Sequence, residues 1–185
     1  MTKVYRPVVR EGQEWALPVD DADFETLRAL ATAGHAADWR PVRMELVRED
    51  EGRMLLPSDC PWCMSNLPVL KPAAVDALFG LLRNDAELLP LDCAHADLHA
   101  LNVTTAIDAL DVEASQIVWF SGQSKIMTIK RYAFRPEPLD GALAFRIPQF
   151  LRGGPVLFTQ PVVDRSLDAG LQRVDFELVW ATGDD

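Results

Sequence analysis

Apolar residues recur along the chain with two periods. Val75, Leu78, Phe79 and Leu82 stand at i, i+3, i+4 and i+7, which predicts a helix opened by Pro72. Asp20 or Asp21 is a good N-cap for an earlier helix running to about Thr32, with Phe24, Leu27, Leu30 and Ala31 on one side and Gly34 at its stop. A third helix is predicted with Thr159 or Gln160 as its cap, Pro161 in its first turn and Gly170 after its end, placing Val163 and Leu167 inward. A short helical turn fits about Thr105–Leu110.

Elsewhere the period is two. Val42, Met44 and Leu46 alternate with Arg43 and Glu45; Val174, Phe176, Leu178 and Trp180 alternate with Arg173, Asp175 and Glu177. Each run predicts a strand with one side in the core and one in water. Further strands are expected over Val4–Val9, His99–Val103, Gln116–Trp119, Ile126–Phe134 and Val156–Phe158, with Ser121-Gly122 as a turn. The order is not a regular βαβ alternation. It predicts an α+β fold: one domain over residues 1–185, a largely antiparallel sheet and about three helices packed against it. The 13 prolines are scattered, which suits many short elements.

Charge narrows the function. The chain has 28 acidic and 18 basic residues, a net charge of −10. Phosphate binding needs a basic face, so nucleic acid is not an expected partner, and neither is an anionic membrane surface. A basic protein is. From Asn84 to Ser124 there is no Lys or Arg, while Asp85, Glu87, Asp92, Asp97, Asp108, Asp111 and Glu113 all fall there. This stretch reads as solvated loops and helix ends or as an acidic docking face. No apolar run approaches the roughly 18 residues of a spanning helix, and the N-terminus has no apolar h-region, so a cytoplasmic location is expected.

Little in the chain resembles an active site. Cys60-Pro61-Trp62-Cys63 is a C-x2-C pair, and Cys93, His95 and His99 follow downstream. Thiolates and imidazoles are zinc ligands, so these five residues form a candidate metal set. The second half of the set has irregular spacing, and unligated side chains are the simpler reading. A redox C-x2-C should open a helix after a strand, whereas this one lies in a turn-rich loop. His95-x3-His99 lacks the Glu that a metallopeptidase pair requires, because Ala96 stands there. No G-x-S-x-G, Walker loop or G-x-G-x-x-G occurs, and Gly153-Gly154 reads as a turn. Asn102-Val103-Thr104 matches a glycosylation sequon but is expected to serve a strand end. The five tryptophans suit core or rim packing; exposed ones would suit an interface, including a homodimer.

Four segments together resemble a bacterial family. They are Lys3-Val4-Tyr5 followed by Trp15; Leu89-Pro90-Leu91-Asp92-Cys93 with Leu101-Asn102-Val103-Thr104 and Asp108-Ala109-Leu110-Asp111; Tyr132-Ala133-Phe134-Arg135-Pro136-Glu137; and Phe176-Glu177-Leu178-Val179-Trp180. Their order and spacing are similar to the polymorphic-toxin immunity family numbered eleven, named from a myxobacterial immunity protein and formerly a domain of unknown function. The resemblance spans about residues 3–180. It implies a non-enzymatic protein that binds and neutralises a cognate toxin domain, of nuclease type, by occluding its working surface. It implies no cofactor and supplies no catalytic residues. Cys60, Cys63, His95 and His99 do not belong to the pattern.

The charge and the resemblance converge. Nucleases are usually basic, and an acidic inhibitor associates with them quickly. The expected toxin contacts are Asp92, Asp97, Asp108, Asp111 and Glu113. A helical turn would set Asp108 and Asp111 on one side. Capping of backbone amides is the competing role for such residues. The alternative functions are a small metal-binding protein or enzyme using Cys60, Cys63, Cys93, His95 and His99, and an orphan protein-binding module.

Overall fold

The computed structural model describes residues 1–30, 34–121, 125–151 and 154–183. In chain order the strands are β1 (Lys3–Val8), β2 (Trp15–Pro18), β3 (Met44–Val47), β4 (Glu49–Asp50), β5 (Arg53–Met54), β6 (Val69–Leu70), β7 (Ala86–Leu91), β8 (Leu98–Val103), β9 (Gln116–Trp119), β10 (Ile126–Arg131), β11 (Ala144–Phe145), β12 (Leu157–Thr159) and β13 (Asp175–Ala181). The helices are α1 (Asp21–Ala29), α2 (Pro72–Leu82) and α3 (Gln160–Asp168), with 3-10 turns at Glu137–Leu139 and Pro148–Phe150. The fold is α+β, and the paired strands run antiparallel. In place of the single sheet expected, the strands form several small ones. They are ordered β11-β12-β1-β13, β6-β8-β7, β2-β3, β4-β5 and β10-β9.

The four-stranded sheet is covered on both faces. Val4, Phe145, Leu157 and Trp180 enter one core cluster with Tyr132 and Phe134, whose ring lies edge-on to Phe145 and Trp180. Ala144 and Phe158 face the other way, toward α2 and Val162 of α3, where Phe176 meets Phe158 edge-on at 5.8 Å. The expected inward row in β13 is therefore corrected. Val4 pairs with Trp180 but Tyr5 pairs with Leu178, so Val179 is an extra residue, a β-bulge. The bulge sends Trp180 to the opposite face from Leu178, which is left exposed. Strand β12 pairs with β1 only at Val4 and Tyr5, so Pro7 falls where β1 is no longer paired on that side and its missing N–H costs no ladder bond.

A further cluster fills the space between α1, β2–β3 and β6–β8–β7. It contains Leu27, Leu30, Val42, Met44, Leu46, Leu67, Leu89 and Leu98. The alternation of Val42, Met44 and Leu46 is realised as read, with Glu45 exposed between them. Strand β7 escaped the sequence reading because Pro90 interrupts its apolar run. It is an edge strand, the place where proline is tolerated.

The helices follow their predicted starts more closely than their ends. The Asp20 carboxylate accepts from Ala22 N at 2.9 Å and caps α1, with Asp21 and Asp23 in the first turn. The helix stops at Ala29 because Leu30 turns extended, well before Gly34. Ala31 and Thr32, assigned to this helix from sequence, lie outside the described residues, as do Gly122, Ser124 and Gly153. In α2 the buried face is Ala74, Ala77, Leu78 and Leu82; Val75 and Phe79 flank it. In α3, Thr159 stands at the N-cap but does not cap. Its hydroxyl donates instead to Ala142 O at 2.6 Å. The inward pair Val163 and Leu167 is half right: Val162, Val163 and Ser166 are buried, while Leu167 is 70% exposed. The helical turn expected at Thr105–Leu110 is absent. Ala106 bridges to Arg146 and Leu110 to Phe134, so the segment runs as extended chain bound by neighbours on both ends.

Candidate functional site

The base-free stretch contains two kinds of carboxylate. Glu87, on β7, accepts from His35 N at 2.7 Å, Ala36 N at 2.9 Å and Asn102 Nδ2 at 2.8 Å. Arg146 lies beyond Asn102, with 1% of its surface exposed. Its Nε donates to Val103 O at 2.7 Å and its Nη2 to Asn102 Oδ1 at 3.3 Å, while Nη1 is buried without a partner among the described residues. Burial pushes this guanidinium down to about 10, because a desolvated charge favours its neutral form. Asp85 accepts from the Thr105 hydroxyl at 3.0 Å. These acids stitch β7 and β8 to the surrounding loops. The sequon residue Asn102 is wholly buried in this network.

The five acids expected to contact a toxin divide in the same way. Asp111 accepts from Glu113 N at 3.1 Å and Ala114 N at 3.0 Å, the local capping that competed with a docking role. Asp108 accepts from Gln149 Nε2 at 2.7 Å and pairs with Arg135 at 3.4 Å; it shares no helical turn with Asp111. Asp92, Asp97 and Glu113 are exposed, and their carboxylates have no partner among the described residues. Asp92 lines a cleft with Glu45 and His95, and Asp111 and Glu113 line another with Arg131. No described cleft holds both groups.

The cysteines and histidines are not gathered at one point. Cys60 packs against the α2 cluster, and Cys63 and Cys93 against the α1 cluster. All three are free thiols. Burial pushes the Cys60 and Cys63 thiols up to about 12, so both stay protonated at neutral pH. His95 sits in an exposed loop whose carbonyl accepts from Arg48 at 2.9 Å. His99 is on β8, its Nδ1 buried without a partner among the described residues. Among the described residues no group of three or more His, Cys, Asp or Glu side chains is placed to share a metal ion.

A further surface feature lies outside the base-free stretch. Strand β2 places Trp15 beside Trp62, the two joined by a backbone bridge and an Ala16 N to Trp62 O bond of 2.7 Å. Beyond them the β4–β5 hairpin turns through Glu51 at φ 47° and Gly52 at φ 78°. Two successive positive φ values match a tight hairpin turn whose twist suits the strands. Between the tryptophans and the hairpin lies a cleft of about 470 Å³, lined also by Val9, Met54 and Leu55. Val9 is 44% exposed and Met54 73%. A second cleft of about 350 Å³ shares Val9 and Trp62 and runs along the part of β1 that β12 leaves unpaired.

Charge around this cleft is one-sided. Glu11, Glu49, Asp50 and Glu51 are exposed and have no ion pair among the described residues. Arg10 is committed to Asp175 at 2.9 Å, and Arg48 reaches His95 O at 2.9 Å and Glu14 at 4.0 Å. Glu14 anchors the floor. Only 2% exposed, it takes the Lys71 ammonium and the Ser58 N–H (2.8 Å), tying the start of β2 to α2 and the intervening loop. The signal for this site was present as Glu49-Asp50-Glu51-Gly52, but Arg48 and Arg53 flank it and nearly balance the count. Only the fold shows that Arg48 is turned away.

Neither the protein-family models nor the curated proteins contain a match to this chain. No helix among the described residues is long and apolar enough to cross a membrane.

Proposed function

We propose that this protein is an immunity-type inhibitor that binds a basic toxin domain, of nuclease type, and occludes its working surface without bond chemistry. One observation carries the reading. The carboxylates of Asp92, Asp97, Glu113, Glu11, Glu49, Asp50 and Glu51 are exposed with no cation to neutralise them among the described residues. A surface that keeps like charges unpaired loses stability through self-repulsion, and such a surface also accelerates encounter with a basic partner. The sequence resemblance supplies the class of partner. Asp108 and Asp111 move from contact residues to structural ones, because their oxygens are already occupied.

The test is co-purification with the product of the neighbouring gene, followed by titration of the complex with salt. A tight complex that loosens steeply as salt rises is expected, since exposed charge pairs are screened. Absence of a complex, or one indifferent to salt, contradicts the reading.

A further inference from the structure

We propose that the cleft between Trp15, Trp62 and the β4–β5 hairpin is the docking site for an extended, Arg- or Lys-bearing segment of the protein partner. The inference rests on the toxin-binding reading for the nature of that partner and adds where and how it is gripped. Three features select the occupant. The floor is aromatic and the rim aliphatic, with Met54 and Val9 exposed although both are large and apolar. Exposed apolar side chains rimmed by carboxylates suit a partner that covers both. The mouth carries Glu11, Asp50 and Glu51, with Glu49 next to them on β4, against one uncommitted cation, Arg53, so an anionic or nucleic-acid occupant is repelled. The hairpin geometry holds the carboxylates in place, because Glu51 and Gly52 occupy a defined turn with positive φ at both positions.

Long basic side chains fit both demands at once. Their aliphatic stems lie on apolar surface while their heads reach water or a carboxylate. Arg also stacks on indole faces, an attraction that strengthens as water leaves. Tryptophan and methionine are the residue types enriched where partners are held tightly. Glu14 fixes the floor from beneath through Lys71 and Ser58, so the tryptophan platform is held in place before any partner arrives.

The experiment uses the full chain and two probes: the neighbouring gene product, and an acetylated octapeptide of alternating leucine and arginine with a leucine–glutamate counterpart. The indole N–H signals of Trp15 and Trp62 are followed by NMR. Both are expected to shift with the leucine–arginine peptide and to stay still with its acidic counterpart. Met54→Ser and the double change Glu49→Lys/Asp50→Lys are each expected to weaken the toxin complex about ten-fold or more at low salt, with the unfolding midpoint unchanged. If the complex forms and both variants bind it as tightly as the parent, the cleft proposal is overturned and the immunity reading stands. If the neighbouring product does not bind but the basic peptide shifts both indoles, the immunity reading fails and the cleft stands as a site for a basic segment. A polyamine that shifts the indoles as tightly as the peptide overturns the commitment to a protein segment.

Discussion

The two acidic regions of this molecule look alike in composition and differ in use. In the base-free stretch, Glu87, Asp85, Asp108 and Asp111 are bound to backbone amides or side chains of their own chain. Around the tryptophan cleft, Glu11, Glu49, Asp50 and Glu51 have no ion pair among the described residues even though arginines are close in sequence. A carboxylate without a nearby base is thus no sign of a free charge, because backbone N–H groups satisfy it as well as a cation does. Only where neighbouring donors are committed elsewhere does negative charge remain available to a partner.

The sharpest way to break this comparison is to remove a structural acid. Glu87→Ala strips the acceptor from two backbone amides and from Asn102, and leaves the Arg146 network short of its last member. Charge-assisted bonds of this kind are each worth roughly 1.5–3 kcal/mol, but water reaches the half-buried His35 and the exposed Ala36 and replaces part of the loss, so about 3 kcal/mol is expected by chemical denaturation. Glu14→Ala should fall in the same range, about 3 kcal/mol, since it leaves the Lys71 ammonium partly buried without its partner. If either variant unfolds with the parent, the division into structural and free acids fails.

Smaller effects sharpen the line inside the stretch itself. Asp111→Ala removes a cap on two amides and should cost about 1 kcal/mol, whereas Asp97→Lys and Glu113→Lys should leave the unfolding midpoint in place and weaken only the proposed complex with a basic partner. Equal losses of stability in all three would erase the distinction.

A separate signal, read against pH, concerns the floor behind the cleft, where Cys60 and Cys63 flank Trp62. Their thiols are pushed from 9.0 up to about 12 by burial. The unfolded chain therefore loses these protons near pH 9 while the folded chain keeps them. Their contribution is constant below about pH 9, and stability falls as the pH rises from there toward about 12. Urea melts between pH 8 and 10 should show this loss, and Cys60→Ala together with Cys63→Ala should reduce it. An identical loss in the variant would mean that the thiols face water.

What could be read in the sequence was local. The α2 period, the Asp20 cap and the Met44–Leu46 alternation each depend on neighbours within a turn or two, and each holds. The β13 alternation failed at a bulge, which is set by the register of β1 across the sheet and leaves no mark in β13 itself. The turn at Thr105–Leu110 failed because Arg146 and Phe134, far along the chain, capture its backbone. The candidate site followed the same rule. Counting bases near acids located a stretch of negative charge, but which carboxylates are free depends on where distant amides arrive. His35 meets Glu87 across 52 positions, and Glu14 takes Lys71 across 57. The cleft itself unites Val9, Trp15, Met54 and Trp62, none of which signals the others in sequence.

Thermal unfolding of Glu87→Gln beside Glu49→Lys/Asp50→Lys tests the division most directly, since it needs no partner. The glutamine keeps one acceptor oxygen and turns its NH2 group toward either Ala36 N or Asn102 Nδ2, and it should lower the midpoint by roughly 5 °C, at 2–4 °C per kcal/mol for a chain of this size. The double charge reversal should unfold within a degree or two of the parent. Similar midpoints for the two variants, or a larger loss from the hairpin change, would contradict the account.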